Sequence, residues 1–450
     1  MNDMQINIPA RLTPVCSVNF SNFITQTGKD LENKEFIYDF KQMQHCHPYG
    51  LLVVACAIRN NIKNRPDAIH RVENALYSQG GRFAANFGFY QSIGFDIGTA
   101  TEEFDVGDRY IPIKEITSAD LHKQYSYTLL LNEKVERHAQ MLSDTLVGDL
   151  KQSVRDAVQY CFREIMRNTF EHAHTDTIWV CGQYWPSRSE AEIAVLDEGI
   201  GILNSLKSNR RIAVKNCLEA NSLALQPGLS ESLGKKQDPF DRWQNSGYGL
   251  YVSSTLCAVN GGYFIISSGD STLLVNSKDQ TPYASNQVGT AICLNIHTDS
   301  SKLYSFDSTL AAIVAEGEKK ARENGEQRIL SASKVTTVAS MLKHINGSIE
   351  SAPIISSLSP LGDKLIPINE NVVFTPVCLL PNGDLKGTFE YAGEKVPGIL
   401  LNVTKGNKAL YLRNHVHVNA VVRKYKNGIY NLMESYRYQK ALAKTRSKTV

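Results

Sequence analysis

Residues 154–202 read VRDAVQYCFREIMRNTFEHAHTDTIWVCGQYWPSRSEAEIAVLDEGIGI. Val154, Val158, Cys161, Ile165 and Met166 recur at the spacing of one helix face, while Glu164 and Asn168, four residues apart, share another. Such a helix presents an acid and an amide at one place. Two runs rich in β-branched and aromatic residues follow, 177–184 and 190–196, and predict a hairpin. The second run ends in Asp197-Glu198-Gly199-Ile200-Gly201, so an acid is held at a strand end beside a glycine turn.

Further along stand Gly247-Tyr248-Gly249-Leu250 and Gly289-Thr290. In this order the Glu-x-x-x-Asn helix, the Asp-x-Gly-x-Gly turn and the two later glycine motifs resemble the N box and the three glycine boxes of the GHKL ATPase superfamily, the Bergerat fold. Four ordered motifs are far more specific than any one of them, since each residue alone reads as a surface charge or a turn residue.

The resemblance implies a site for ATP and Mg2+. Asn168 would give magnesium one amide oxygen, which suffices because this ion keeps several waters while bridging phosphates. Glu164 would polarise an attacking water. Asp197 would accept the adenine amino proton, and Gly199 and Gly201 would let the backbone approach the nucleotide. Gly247, Gly249 and Leu250 open a helix, 251–259, whose N-terminal amides can face phosphate. Gly289 and Thr290 would lie at the adenine region.

Between Gly201 and Gly247 the sequence shows little periodicity and carries Lys207, Arg210, Arg211, Lys215, Lys235 and Lys236. In the resemblance this is the ATP lid, with its cations as candidate phosphate contacts; a solvated basic loop is the plainer reading. The run GLSESLGKK, 228–236, mimics a P-loop but has five residues between its glycines and no Ser or Thr after the lysine pair, so it is rejected.

The chain has 450 residues, of which 42% are hydrophobic, enough for two to four ordinary cores. No apolar run is long enough to span a membrane, and the N-terminus lacks a signal-peptide pattern, so a cytoplasmic, globular protein of bacterial type is expected. Nine scattered cysteines form no C-x-x-C pair and read as reduced thiols. The pairs His45/His47, His172/His174 and His415/His417 lack a third ligand nearby and are not read as a metal site.

Residues 35–61 predict a short strand, a turn at His47-Pro48-Tyr49-Gly50 and an apolar helix. This looks like a STAS-like domain, the small α/β fold of anti-sigma-factor antagonists, over roughly the first 115 residues, a usual domain length. Those antagonists are phosphorylated on a serine in that turn. Here the turn has no Ser or Thr, so a docking or dimerisation role is expected instead.

The net charge of +3 is unevenly placed: from Val403 on there are eleven Lys and Arg against one Glu, or +10, which leaves −7 on the rest. Tyr411, Tyr425, Tyr430, Tyr436 and Tyr438 are interleaved with these cations, the composition of a nucleic-acid surface. The alternative is a helical tail whose tyrosines pack while its lysines face water.

The expected fold is an α/β and α+β multidomain chain. It comprises a STAS-like domain (1–116), a Bergerat-fold α/β sandwich (117–298), a helical connector read from 310–323 and 331–345 (299–350), and a β-rich module with a basic tail (351–450). The expected function is a GHKL ATPase that couples Mg-ATP binding and slow hydrolysis to regulation of a protein partner. A homodimer and nucleic acid are further candidate partners. Two alternatives stand beside it: a serine/threonine protein kinase of the anti-sigma-factor type, and a non-hydrolysing nucleotide sensor in a regulatory or defence assembly. No dimerisation helix with an acceptor histidine precedes the core, which disfavours a histidine kinase.

Overall fold

The 42–64 region explains how the chain is layered. Pro48 occupies the first turn of a helix, where its missing N–H costs nothing, and the helix that follows is buried continuously from Pro48 to Ile58. A helix apolar on every side must be covered on every side. The computed structural model describes residues 2–98, 109–125, 131–229, 247–323, 332–334, 370–379, 385–391, 394–400, 416–424 and 430–434.

The N-terminal elements are β1 (Asn2–Asn7), β2 (Arg11–Leu12), α1 (Pro14–Thr27), β3 (Asn33–Asp39), β4 (His45–Cys46), α2 (Pro48–Asn64), β5 (Ile69–Glu73), α3 (Gln79–Asn86) and α4 (Phe89–Ser92). Strands β1, β3 and β5 form a parallel sheet in that order, with Phe36 opposite Met4 and His70. Phe36, Tyr38 and Phe40 are fully buried in one core with Leu51, Leu52 and Val54 of α2.

Next come β6 (Tyr110–Thr117), α5 (Ser118–Gln124), α6 (Leu131–Val147), α7 (Gln152–His172), β7 (Thr177–Trp185), β8 (Glu190–Asp197), α8 (Gly201–Lys207), α9 (Cys217–Ala224), α10 (Gly249–Val259), β9 (Tyr263–Val275), β10 (Gln280–His297) and α11 (Phe306–Glu323). The strands make one antiparallel sheet ordered β6-β7-β8-β10-β9. Its edge strand β6 comes from residues that the sequence reading placed largely before its boundary at 116/117.

Alternation along the strands divides this sheet between two cores. Ile193, Val195, Ile292 and Leu294 face α6, α7 and α10, together with Val158, Cys161 and Ile165. Ala194, Leu196, Ala291 and Cys293 face the other way and share the core of α1 and α2. The small residues on that rear face let α2 lie close against β7, β8 and β10. Burying each of the larger aliphatic side chains stabilises this packing by about 1.5–3 kcal/mol.

Glu192 falls on the rear face by the same alternation and is fully buried. His47 Nδ1 lies 2.8 Å from its Oε2, the Tyr49 N–H donates to its Oε1 at 3.1 Å, and the Tyr263 hydroxyl donates to its Oε2 at 3.0 Å. A buried carboxylate persists when it is hydrogen-bonded in this way. The His47-Pro48-Tyr49-Gly50 turn therefore docks on the chain's own sheet.

After α11 the described chain resumes at Ala332–Lys334, a 3-10 turn where the sequence pattern predicted amphipathic helix over 331–345; the rest of that stretch lies outside the described residues. By itself, the C-terminal unit is a closed five-stranded barrel, ordered β11-β12-β13-β15-β14, of β11 (Glu370–Leu379), β12 (Leu385–Tyr391), β13 (Glu394–Leu400), β14 (Val416–Lys424) and β15 (Tyr430–Glu434). The sequence pattern predicts three of these strands, at 371–380, 385–392 and 396–403 around the turn residues Pro381-Asn382-Gly383. Residues 416–424 and 430–434 are strands too; the helical-tail alternative, read over 428–450, does not hold at 430–434, and 435–450 lie outside the described residues. No described helix is long and apolar enough to cross a membrane.

Candidate functional site

One open cleft in the first unit has about 740 Å³ of empty space, counting the part open to solvent. Its wall takes Ile165, Asn168, Thr169 and His172 from α7, residues spaced so that they share one helix face. Asp197, Gly201, Gly247, Gly249, Leu250 and Thr290 line it as well. Gly199 and Gly289 sit immediately behind that lining, and Glu164 lies behind Gly249.

Asp197 ends β8 opposite Thr290 of β10. Its Oδ1 accepts the Gly199 N–H at 2.9 Å. The turn is tied to the end of α7, because the Ile200 N–H donates to the Ala173 carbonyl at 3.0 Å and a Cβ on Gly199 would fall 2.1 Å from that oxygen. Gly289, at φ +67°, leaves no room either: a Cβ there would fall 2.1 Å from the Asp197 carbonyl oxygen. Alanine at either position would push the acid off its place.

Burial raises the Asp197 carboxyl to about 6, an effect that N–H donation from Gly199 and Thr290 only partly offsets. The sign for stability follows from proton linkage. A raised folded-state pKa means that the folded chain keeps a proton the unfolded chain has released, so stability falls as pH rises from about 4 to 6 and is level above. The expected loss is on the order of 3 kcal/mol. Urea midpoints measured at pH 4.5 and 7 should therefore fall less with pH in Asp197→Asn than in the unsubstituted chain. Equal pH slopes would remove Asp197 as their cause.

Gly249 opens α10, an eleven-residue helix with Tyr248 at its N-cap. A Cβ on Gly249 would lie 2.5 Å from Glu164 Oε2, so the cleft-lining glycine rests directly on that carboxylate. Glu164 is itself buried. Arg163 Nε donates to its Oε1 at 2.9 Å, Arg167 Nη1 stands 3.6 Å from the same oxygen, and the Ser333 hydroxyl donates to its Oε2 at 2.5 Å. Burial works to raise the Glu164 carboxyl, but the charges of Arg163 and Arg167 outweigh it and hold the group below its ordinary value. It is an ionised carboxylate among cations.

The region between Gly201 and Gly247 is not wholly irregular: α8 and α9 lie within it, the second capped by the Asn216 side chain on the Glu219 N–H. Ser205, Leu206, Ala224 and Leu229 from this region line the cleft. Lys207, Arg210, Arg211 and Lys215 are not among the described lining residues, and Lys235 and Lys236 fall outside the described residues, as does most of the rejected 228–236 run. Of the apolar walls, Ile202, Leu206 and Ile292 were not singled out from sequence, and Ile165, read on a different helix face from Asn168, lines the cleft beside it, three residues away. Helix periodicity could have found Thr169 and His172, which share the face of Asn168.

From the rear, Arg59 of α2 donates through Nε and Nη2 to Glu198 Oε1 at 2.8 and 2.6 Å and stacks over the Trp179 ring at 4.0 Å. The turn that carries Asp197 is thus gripped from both sides of the sheet.

Comparison with protein-family models, curated proteins and solved structures gave no match.

Proposed function

We propose that this chain is an ATP-binding protein of the GHKL type, with its nucleotide site in the cleft between α7, the Asp197 turn and α10. The observation that carries the reading is convergence: four motifs far apart in sequence contribute Asn168, Asp197, Gly201, Gly247, Gly249, Leu250 and Thr290 to one cleft. The layering supports it, since an antiparallel sheet with α7 and α10 on one face suits a Bergerat domain. The parallel β1-β3-β5 layer is in turn compatible with a STAS-like origin.

The cleft fits the nucleotide chemically. A buried carboxylate at a strand end accepts from an exocyclic amino group, apolar walls cover a base, and the N-terminus of an eleven-residue helix favours phosphate. Asn168 would hold magnesium, which when bound supplies charge neutralisation at the phosphates. Glu164 is the only acid adjoining Gly249 among its nearest contacts and is the candidate base. Regulation of a protein partner through lid closure completes the proposal. Incubation with γ-labelled ATP sorts its forms: free phosphate supports an ATPase, labelled protein a kinase, and retention of intact ATP a sensor. Absence of nucleotide binding sinks all three.

The C-terminal unit favours nucleic acid as a partner, because the segment from Val403 on carries +10 in sequence and supplies two strands, one of them bearing Arg423 and Lys424, to a small closed β-barrel, an architecture that offers stacking and phosphate contacts to single strands. A cut near residue 402 would remove β14 and β15, so charge substitution is the better test. Affinity for single-stranded DNA or RNA should fall steeply with salt, and Arg423→Glu with Lys424→Glu should flatten that slope by about two phosphate contacts. Binding that ignores salt or these changes would count against the barrel as a nucleic-acid surface.

A further inference from the structure

The hydroxyl that occupies Glu164 belongs to the chain itself. Ser333 is 4% exposed, donates to Glu164 Oε2 at 2.5 Å and accepts from Arg167 Nη1 at 3.4 Å. Its own carbonyl accepts from the Tyr160 hydroxyl at 2.6 Å. Next to it, Lys334 is buried on Glu318 at 2.9 Å, and its ammonium stands 4.2 Å from the centre of the Tyr248 ring. The turn Ala332–Lys334 is therefore seated by specific bonds on α7, α11 and the start of α10.

This is the arrangement by which an activated hydroxyl is recognised: a nucleophile on a base, with the base oriented by a third group. Ser333 is the nucleophile, Glu164 the base, and Arg163, which holds the far carboxylate oxygen at 2.9 Å, the orienting group. Gly249 joins this set to the cleft, because it lines the cleft and rests on the same Glu164 oxygen that Ser333 reaches. With its carboxylate occupied in this way, Glu164 has a serine at hand and is itself buried.

The geometry points to Ser333 as an acceptor, in the same chain, of the terminal phosphoryl group of a nucleoside triphosphate bound in the cleft. This rests on the nucleotide reading of that cleft. In the step, Ser333 Oγ forms a bond to the γ-phosphorus while the bond from that phosphorus to the bridging oxygen breaks. The hydroxyl proton passes to Glu164 Oε2, and the nucleoside diphosphate leaves. The product places the phosphate beside the now protonated Glu164 and beside Arg167, whose Nη1 already donates to Ser333 Oγ at 3.4 Å and can pair with it. Ser333 is the hydroxyl that Glu164 holds, so the reaction is limited to one event per chain.

The test uses the full chain with ATP and magnesium, followed by intact mass and by mapping of the modified peptide. One phosphoryl group per chain on Ser333 is expected, gained at a rate that does not change when the chain is diluted. Ser333→Thr should retain the reaction and Ser333→Ala should lose it, with melting curves showing that both are folded. A fluorescent ATP analogue measures binding separately. Binding without any mass increase overturns the acceptor and leaves the nucleotide reading; no binding overturns both. A phosphoryl group that persists in Ser333→Ala, or a rate that rises with chain concentration, also overturns it.

Discussion

Asn168→Ala should abolish the magnesium dependence of ATP affinity while leaving the fold in place. Asn168 lies on the cleft face of α7, half-buried, one turn after Glu164. An amide oxygen at that place is a sufficient protein contribution for an ion that keeps most of its waters. Removing it should weaken Mg-ATP binding by roughly 100-fold, about 2.7 kcal/mol. Alanine is the better helix former and fills no buried contact, so stability should change by less than about 0.5 kcal/mol. Titrations with magnesium and with a chelator should differ in the unsubstituted chain and coincide in the variant. If the variant keeps the magnesium effect, the ion is held elsewhere.

Glu164→Gln is the second large effect. The substitution keeps the volume beside Gly249 and removes the proton acceptor, so phosphoryl transfer or hydrolysis should slow by about 10²- to 10⁴-fold at unchanged ATP affinity. Alanine is the wrong choice here. Arg163 and Arg167 are both buried and share this carboxylate, and taking it away strands their charge at a cost of about 3 kcal/mol or more. Arg163 retains Glu136 and Arg167 retains Glu171, which keeps the cost toward the low end. Denaturant midpoints of the Ala and Gln variants, read beside turnover, separate the two roles. Wild-type turnover in Glu164→Gln would reduce this residue to a counter-ion.

Much of the cleft was legible because its parts carry local patterns. The hairpin read as 177–184 and 190–196 is β7 and β8 to within a residue at each end, since β-branched alternation and the Pro186 turn mark both strands. The start of α10 was marked by its glycines. What stayed hidden has no local mark. The apolar run of α2 has no period, so nothing in it tells which side meets which sheet. Glu192 looks like any strand glutamate until His47, Tyr49 and Tyr263 are brought to it from elsewhere in the chain. Ser333 is one of three serines in a stretch, 331–345, read as amphipathic helix, and its burial is set by Glu164, 169 residues earlier.

The position of α2 between two sheets bears on how this chain can be divided. Without residues 2–98, the rear of the central sheet would present Ala194, Leu196, Ile265, Ala291 and Cys293 to water and leave the Glu192 carboxylate without His47 and the Tyr49 N–H. Without the central sheet, α2 would expose a flank with no polar residue from Leu51 to Ile58. Neither half is a bead that can be moved to another chain or trimmed away by a protease as a finished piece. The first unit is made and lost as one cooperative body, and a substitution on its rear wall is felt at the Asp197 turn through Arg59 and Glu198.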